Sequence, residues 1–252
     1  MTLTPRRSDA RASAERRLLC EVRDIDPASR TDTAWAAKLH RELFAQIGMI
    51  AQLGPQVLQR FCYGRLIEDG LMRAALALVD GRPAGLIAFT TDSRAVHRAT
   101  VGSHFLVALR EVVIATIRSP RVALGFPRAA RLIWERRNER FAEGTPVAEA
   151  MAFGVRADYR SHEFLRATGI RVSDRLLHHA LRSLKSCGVR RVRGVILARN
   201  QAAAAFARKC GASVEPYHNA AEPSMEVWFD IDRTLSVLDH RAGSETSDSP
   251  SH

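Results

Sequence analysis

The sequence predicts a mixed α/β fold on three observations. Asp80-Gly81-Arg82-Pro83 lies between two apolar runs, Leu71–Val79 and Ala84–Thr91, which is the pattern of a β-hairpin. Val147–Val155 is apolar almost without interruption, as suits a strand at the centre of a sheet. Beyond it, helical and extended periods alternate: a helix over Val172–Ser186, a strand over Val192–Leu197, a helix over Asn200–Lys209 and a strand over Met225–Asp230. Antiparallel hairpins followed by such a βαβα unit give a central mixed β-sheet flanked by helices.

The remaining elements fit that frame in chain order. Leu18–Arg23 reads as a short strand. Asp32 is placed to cap a helix running through Phe44, with Trp35, Leu39 and Leu43 on one face. Pro55 suits the first position of a second helix, Pro55–Glu68. Ser93–Arg140 reads as two or more helices, broken near Ser119-Pro120 and Gly125-Phe126-Pro127; it forms a helical insertion before the central strand, with core packing as the default role. Residues 1–17 read as a flexible basic arm and residues 18–240 as a single domain. The Ser-rich stretch over 241–252 reads as a disordered tail.

Composition narrows the function classes. The 252 residues carry a net charge of +11, nearly all of it arginine; the only lysines are Lys38, Lys185 and Lys209. A solvated Arg-rich surface, an anionic ligand and a nucleic acid each account for such a charge. The arginines are spread along the chain without a long block or aromatic interleaving, which weighs against nucleic acid. No segment approaches the roughly 20 apolar residues of a membrane span, and the basic N-terminus lacks the apolar core of a secretory signal. A cytoplasmic protein is expected. Cys20, Cys62, Cys187 and Cys210 are scattered without paired spacing, against a disulfide framework or a zinc site.

Two segments carry chemistry. Arg166-Ala167-Thr168-Gly169-Ile170-Arg171-Val172-Ser173 lies between the central strand and a helix, with a glycine, a small hydroxyl residue and two arginines. Backbone amides at such a helix start, helped by the helix dipole and the cations, suit a diphosphate. Asn200, at the end of the next strand, leads the alanine-rich helix start Ala202–Ala205 and Phe206; small residues there open a slot for a narrow ligand. Asn200 also serves as an ordinary N-cap, and the two roles are compatible.

Together these segments resemble the GNAT superfamily of acyl-CoA-dependent N-acyltransferases. The likeness covers Leu18 to Asp230 in element order and is specific over Ala148 to Ala212. It implies acetyl-CoA as acyl donor, with the pantetheine arm held by main-chain pairing over Ala152–Arg156, hence by Phe153, Gly154, Val155 and Arg156. The family's Q/R-x-x-G-x-G/A loop matches Arg166-x-x-Gly169-x-Arg171. Slid by two residues, the pattern positions fall on Thr168, Arg171 and Ser173. Both registers use amides from Thr168 to Ser173, Ile170 and Val172 included. Asn200, Ala203 and Phe206 would flank the coenzyme.

Three departures from the family pattern stand out. The third loop position is Arg171 or Ser173 in place of Gly or Ala. Ser161–Leu165 lengthens the connection from strand to loop. The tyrosine that often follows the Phe of the Asn-led helix, and acts as general acid, is Ala207 here. Leu39-His40 through Leu43-Phe44, with Leu53-Gly54-Pro55, also look like the opening of members linked with sugar amines.

The resemblance implies direct attack of an amine on the thioester, an N-acetyltransferase reaction that needs proximity, an oxyanion donor and a base. The expected acceptor is a primary amine of a small molecule, such as an amino sugar or biosynthetic intermediate. The oxyanion donor falls on a main-chain N–H around Phe153 or Gly154. Glu149 on the central strand is the first candidate for the base, acting through water, ahead of Asp158, His162 and Glu226. Tyr159 and Tyr217 are candidates for the acid. His178-His179 reads as partly exposed packing, and the chemistry calls for no metal. A homodimer stays open. The missing tyrosine supports a second reading, a catalytically silent acyl-CoA sensor, and the charge a third, a nucleic-acid-binding protein.

Overall fold

The computed structural model describes residues 18–45, 54–93, 95–96, 110, 147–218 and 222–247. The basic arm over 1–17 lies outside them, and the insertion expected over 93–140 almost wholly so. Strands β1 (Cys20–Asp24), β2 (Arg73–Val79), β3 (Arg82–Thr90), β4 (Val147–Val155), β5 (Arg191–Leu197), β6 (Ser213–Tyr217) and β7 (Ser224–Asp230) form one seven-stranded sheet in the order β1-β2-β3-β4-β5-β7-β6. Among these strands only β4 and β5 run parallel, so the sheet is mixed. The hairpin between β2 and β3 turns on Asp80 and Gly81, whose φ values of 48° and 73° are both left-handed. A two-residue turn needs that geometry to follow the strand twist.

Helices cover both faces. One face carries α1 (Arg30–Phe44) and α2, which joins an α turn (Pro55–Val57), a π-helical stretch (Leu58–Arg65) and a second α turn (Leu66–Glu68). Their Ala36, Leu39, Leu58, Phe61 and Leu66 form a core with Leu76, Leu86, Ala88 and Ala152 of the sheet. After β4 come two short helices, α3 (Ala157–Arg160) and α4 (His162–Thr168), and then α5 (Val172–Ser186). Helix α5 buries Val172, Leu176, Leu177, Ala180, Leu181 and Leu184, a stripe at helical spacing. It lies on the opposite face against Ile87, Phe89, Val155 and Val192. Helices α6 (Gln201–Lys209) and α7 (Ile231–Ser247) complete the chain order. Among the described residues no helix is long and apolar enough to cross a membrane.

Several expectations need correction. The cap of α1 is Ser29, whose hydroxyl accepts from the Asp32 amide at 3.2 Å. Asp32 instead takes two bonds from Arg23 of β1, at 2.6 and 2.7 Å. Burial would raise the Asp32 carboxyl, but the Arg23 bonds outweigh it and hold the group below its ordinary range. Strand β6 escapes prediction because Pro216 and Glu215 dilute its pattern; on an edge paired only to β7, a proline removes no needed bond. Helix α7 is carried by Ile231, Leu235 and Leu238, buried against the sheet and α5, and it continues past Ala242 to Ser247, where composition alone reads as tail.

A buried polar pair links α1 to the π-helical stretch. His40 Nδ1 lies 2.6 Å from the Tyr63 hydroxyl, and both side chains are buried. In the Nε2–H tautomer, Nδ1 accepts a hydrogen bond from the Tyr63 hydroxyl. Burial pulls His40 down to about 4 from 6.5. The folded chain therefore resists protonation that the unfolded chain accepts. Stability is unaffected above pH 6.5, declines as the pH falls from 6.5 toward 4, and is lower by about 3 kcal/mol below that window. Denaturant titrations across this range should show the decline in the wild type, and His40→Gln, which keeps an acceptor for Tyr63, should flatten it. Equal slopes in both proteins would contradict the assignment.

Candidate functional site

Among the described residues, the sheet opens at the parallel pairing of β4 with β5. β4 and β5 pair over Val147↔Arg191, Ala148↔Val192 and Glu149↔Arg193 and then separate, although β4 continues along β3 to Val155 and β5 along β7 to Leu197. A bulge at Met151 interrupts the β3–β4 register just beyond Glu149 and bends the strand there.

The hydrogen-bond alternation identifies which main-chain groups face this opening. The Arg156 amide donates to the Ala84 carbonyl at 2.8 Å. In an antiparallel pair every second residue bonds its neighbour, so Gly154 and Ala152 also turn toward β3, while Phe153 and Val155 direct their N–H and C=O into the gap. This corrects the expectation of a continuous Phe153–Arg156 lining: the amides of Gly154 and Arg156 belong to the β3 ladder. Gly154 has another constraint, because an added Cβ would come within 3.0 Å of Leu43 Cδ1 and 3.2 Å of Phe44 Cζ on α1. The Arg156 side chain turns back to α1, where its Nε lies 2.9 Å from Glu42 Oε1 as an ion pair without hydrogen-bond alignment.

Helix α5 starts close to the end of β4. Ile170 and Val172 share a core with Val155, and a Cβ on Gly85 would touch both Val155 and Leu176. The approach to that helix differs from the expected loop. Ser161–Leu165 is not an extended connector: Ser161 caps α4 by accepting from the Phe164 amide at 3.1 Å. Arg166 and Thr168 are therefore helical, with Arg166 exposed in the last turn. Gly169 ends α4 in the left-handed conformation, φ 66°, and its amide donates to Leu165 O at 2.8 Å. The Ile170 amide donates to Thr168 Oγ1 at 3.1 Å. The amides of Gly169 and Ile170 thus close α4, and those that open α5 begin later in the chain. Val172 and Ser173, at the first two helical positions, have no acceptor within the helix by position. The N-cap Arg171 makes no side-chain cap, and its partly exposed side chain stands beside them.

Across the opening, α6 follows β5. Asn200 is its N-cap, the side chain accepting from the Ala203 amide at 3.2 Å. Phe206 reaches over to Phe153 of β4, with ring centroids 5.5 Å apart. Ala207 is buried in the core. A broad groove of about 830 Å³, lined by Arg182, Lys185, Asp232 and His240 among others, lies at the far end of α5 from these amides.

Among solved structures, a spermidine N-acetyltransferase chimera from Vibrio cholerae and hSSAT superimposes with a TM-score of 0.50 at 12% identity, covering 86% of this chain and 98% of that one. An acetyltransferase of the GNAT family from Streptococcus pneumoniae gives a TM-score of 0.47 at 15% identity, over 84% of this chain and 99% of its own. The fold is that of the GNAT acetyltransferases. The PaiA N-acetyltransferase of Thermoplasma acidophilum, in complex with coenzyme A, is also similar, with a TM-score of 0.44, 15% identity and coverage of 82% and 98%. No family model matches the sequence, and no curated protein matches it.

Within this GNAT fold the two expected catalytic residues do not meet. Glu149 is 4% exposed, at the last paired position before the opening. Tyr159 lies on α3, past the other end of β4, packed edge-on against Phe164 at 5.4 Å. About 20 Å of strand separates Glu149 from Val155 alone, which sets the base candidate and the acid candidate toward opposite ends of β4. Asp158 and His162 are exposed beyond that same end.

The residue that sequence reasoning missed is Arg193. It is the register partner of Glu149 and only 4% exposed. Its Nε donates to Glu226, and its guanidinium stands 5.3 Å from the Tyr217 ring. Glu149, Arg193, Glu226 and Tyr217 therefore gather on one face where β4 and β5 part. The signal in the sequence was an arginine at an inward position of the strand Arg191–Leu197, where a solvated role does not fit. His178 and His179 lie away from this cluster, each 2.9 Å from a carboxylate, Asp239 and Asp24 respectively.

Proposed function

We propose that this chain is an N-acetyltransferase that takes acetyl-CoA as donor and a primary amine of a small molecule as acceptor, an amino sugar or related biosynthetic intermediate being the favoured class. One observation carries the reading: the opening between β4 and β5 presents the main chain of Phe153 and Val155 in line with the uncapped start of α5. An extended pantetheine arm can pair with the former while its diphosphate meets the Val172 and Ser173 amides, aided by the helix dipole and Arg171. Phe206 and Asn200 would border the same arm from α6.

In this reading the amine attacks the thioester carbon, and the Phe153 N–H donates to the oxygen that gains charge. Glu149 takes the amine proton through water, with Arg193 as its register neighbour on β5. Ala207 offers no proton to the leaving thiolate, so solvent supplies it. The buried Ala207 equally favours the second reading, a binder of acyl-CoA without turnover. Thiol release from acetyl-CoA over a panel that includes glucosamine and spermidine tests both. Amine-dependent release supports the transferase. Tight coenzyme binding with no release across the panel supports the silent binder, and no binding contradicts both.

A further inference from the structure

A side chain of α7 reaches the start of α5. Arg241 Nη2 of α7 lies 3.0 Å from Asp174 Oδ2, the side chains being 26% and 13% exposed. Asp174 sits in the first turn of α5, one residue past Ser173. The same guanidinium donates through Nη1 to Cys210 Sγ at 3.6 Å. Cys210 closes α6, its amide bonded to the Phe206 and Ala207 carbonyls at 3.0 Å. Earlier on α7, Arg233 and Val237 pack on Gly211, where an added Cβ would find them at 3.5 and 3.6 Å. Helix α7 thus spans the end of α6 and the beginning of α5.

Two negative features meet at that crossing, the Asp174 carboxylate and the carbonyl end of α6. Burial, with Asp174 adding to it and Arg241 opposing, pushes the Cys210 thiol up to about 11, so sulfur adds no charge. A first-turn carboxylate suits the helix dipole, yet it opposes any second anion at the same helix end. Asp174 Oδ2 is closed to water, which would otherwise screen its charge.

We infer that Arg241 is a positioning residue for the coenzyme: by neutralising Asp174 it lets the head of α5 present amides and Arg171, rather than a carboxylate, to the diphosphate. This rests on the proposed coenzyme site.

Calorimetry of coenzyme A binding to the full chain at low ionic strength, with thermal melts to confirm folding, tests it. Arg241→Ala should weaken binding about tenfold. Adding Asp174→Asn should restore it to within about threefold of wild type, because the opposing charge is gone. Asp174→Asn alone should bind at least as tightly as wild type, and this variant carries the test if Arg241→Ala fails to fold. A double variant as weak as Arg241→Ala would overturn the inference, since a purely structural brace is not rescued by removing its partner. So would Asp174→Asn binding more weakly than wild type, or unchanged affinity in Arg241→Ala. Absence of coenzyme binding by the wild type would instead overturn the coenzyme reading, and the inference with it.

Discussion

Acetyl-CoA binding is expected to weaken at least tenfold when Gly169 is replaced by valine or Arg171 by glutamate. The two substitutions act by different physics. Gly169 holds φ 66° with no atom within 4 Å of where a Cβ would sit, so the obstacle to valine is the backbone rather than space. A β-branched residue is strained in that region by about 1–2 kcal/mol or more, and relief would move Ile170, Arg171 and the start of α5. Arg171→Glu leaves the backbone alone and reverses the charge at the N-cap, where the proposed diphosphate sits. Tenfold corresponds to about 1.4 kcal/mol, within reach of one reversed charge near a partly buried helix end. Isothermal titration of both variants decides; wild-type affinity in both would remove this segment from the coenzyme site.

The second large effect is expected at Glu149. Glutamine keeps the size and hydrogen-bonding reach of the side chain and removes its ability to take a proton. If Glu149 serves as base, Glu149→Gln should lower kcat about a hundredfold or more while acetyl-CoA affinity stays within about twofold. A purely structural partner of Arg193 would behave in the opposite way, with a lower melting temperature and an unaltered kcat per folded molecule. Arg193 keeps Glu226 in the variant, so the buried guanidinium is not stranded. A kcat equal to that of the wild type would exclude Glu149 as base.

Much of the fold is legible because local signals and tertiary demands agree. Val147–Val155 and Val172–Ser186 carry strong periodicity, and the Asp80-Gly81 turn has only one good two-residue geometry. Where the two diverge, the sequence misleads. Asp32 looks like a cap, but a nearby strand arginine is the stronger partner for a carboxylate, and Ser29 serves three residues earlier. Ser161 to Thr168 reads as loop because the resemblance supplies a loop there, yet Ser161 followed by a helical run is itself a cap signal.

The candidate site was legible in its main-chain parts and less so in its side chains. Val172 and Ser173 follow from element order. That Gly154 and Arg156 face β3 depends on which residue of the ladder bonds first, and no residue type encodes that. Glu149 and Tyr159 stand ten positions apart in sequence, but a strand and a helix between them put them at opposite ends of β4. Arg193 shows its place beside Glu149 only when its register partner is known.

The most direct measurement is a structure of the full chain with acetyl-CoA bound. The account predicts diphosphate oxygens within hydrogen-bond distance of the Val172 and Ser173 amides and the pantetheine arm alongside Phe153 and Val155. Coenzyme bound elsewhere, or an α5 start filled by the chain's own side chains while the ligand is present, would contradict it.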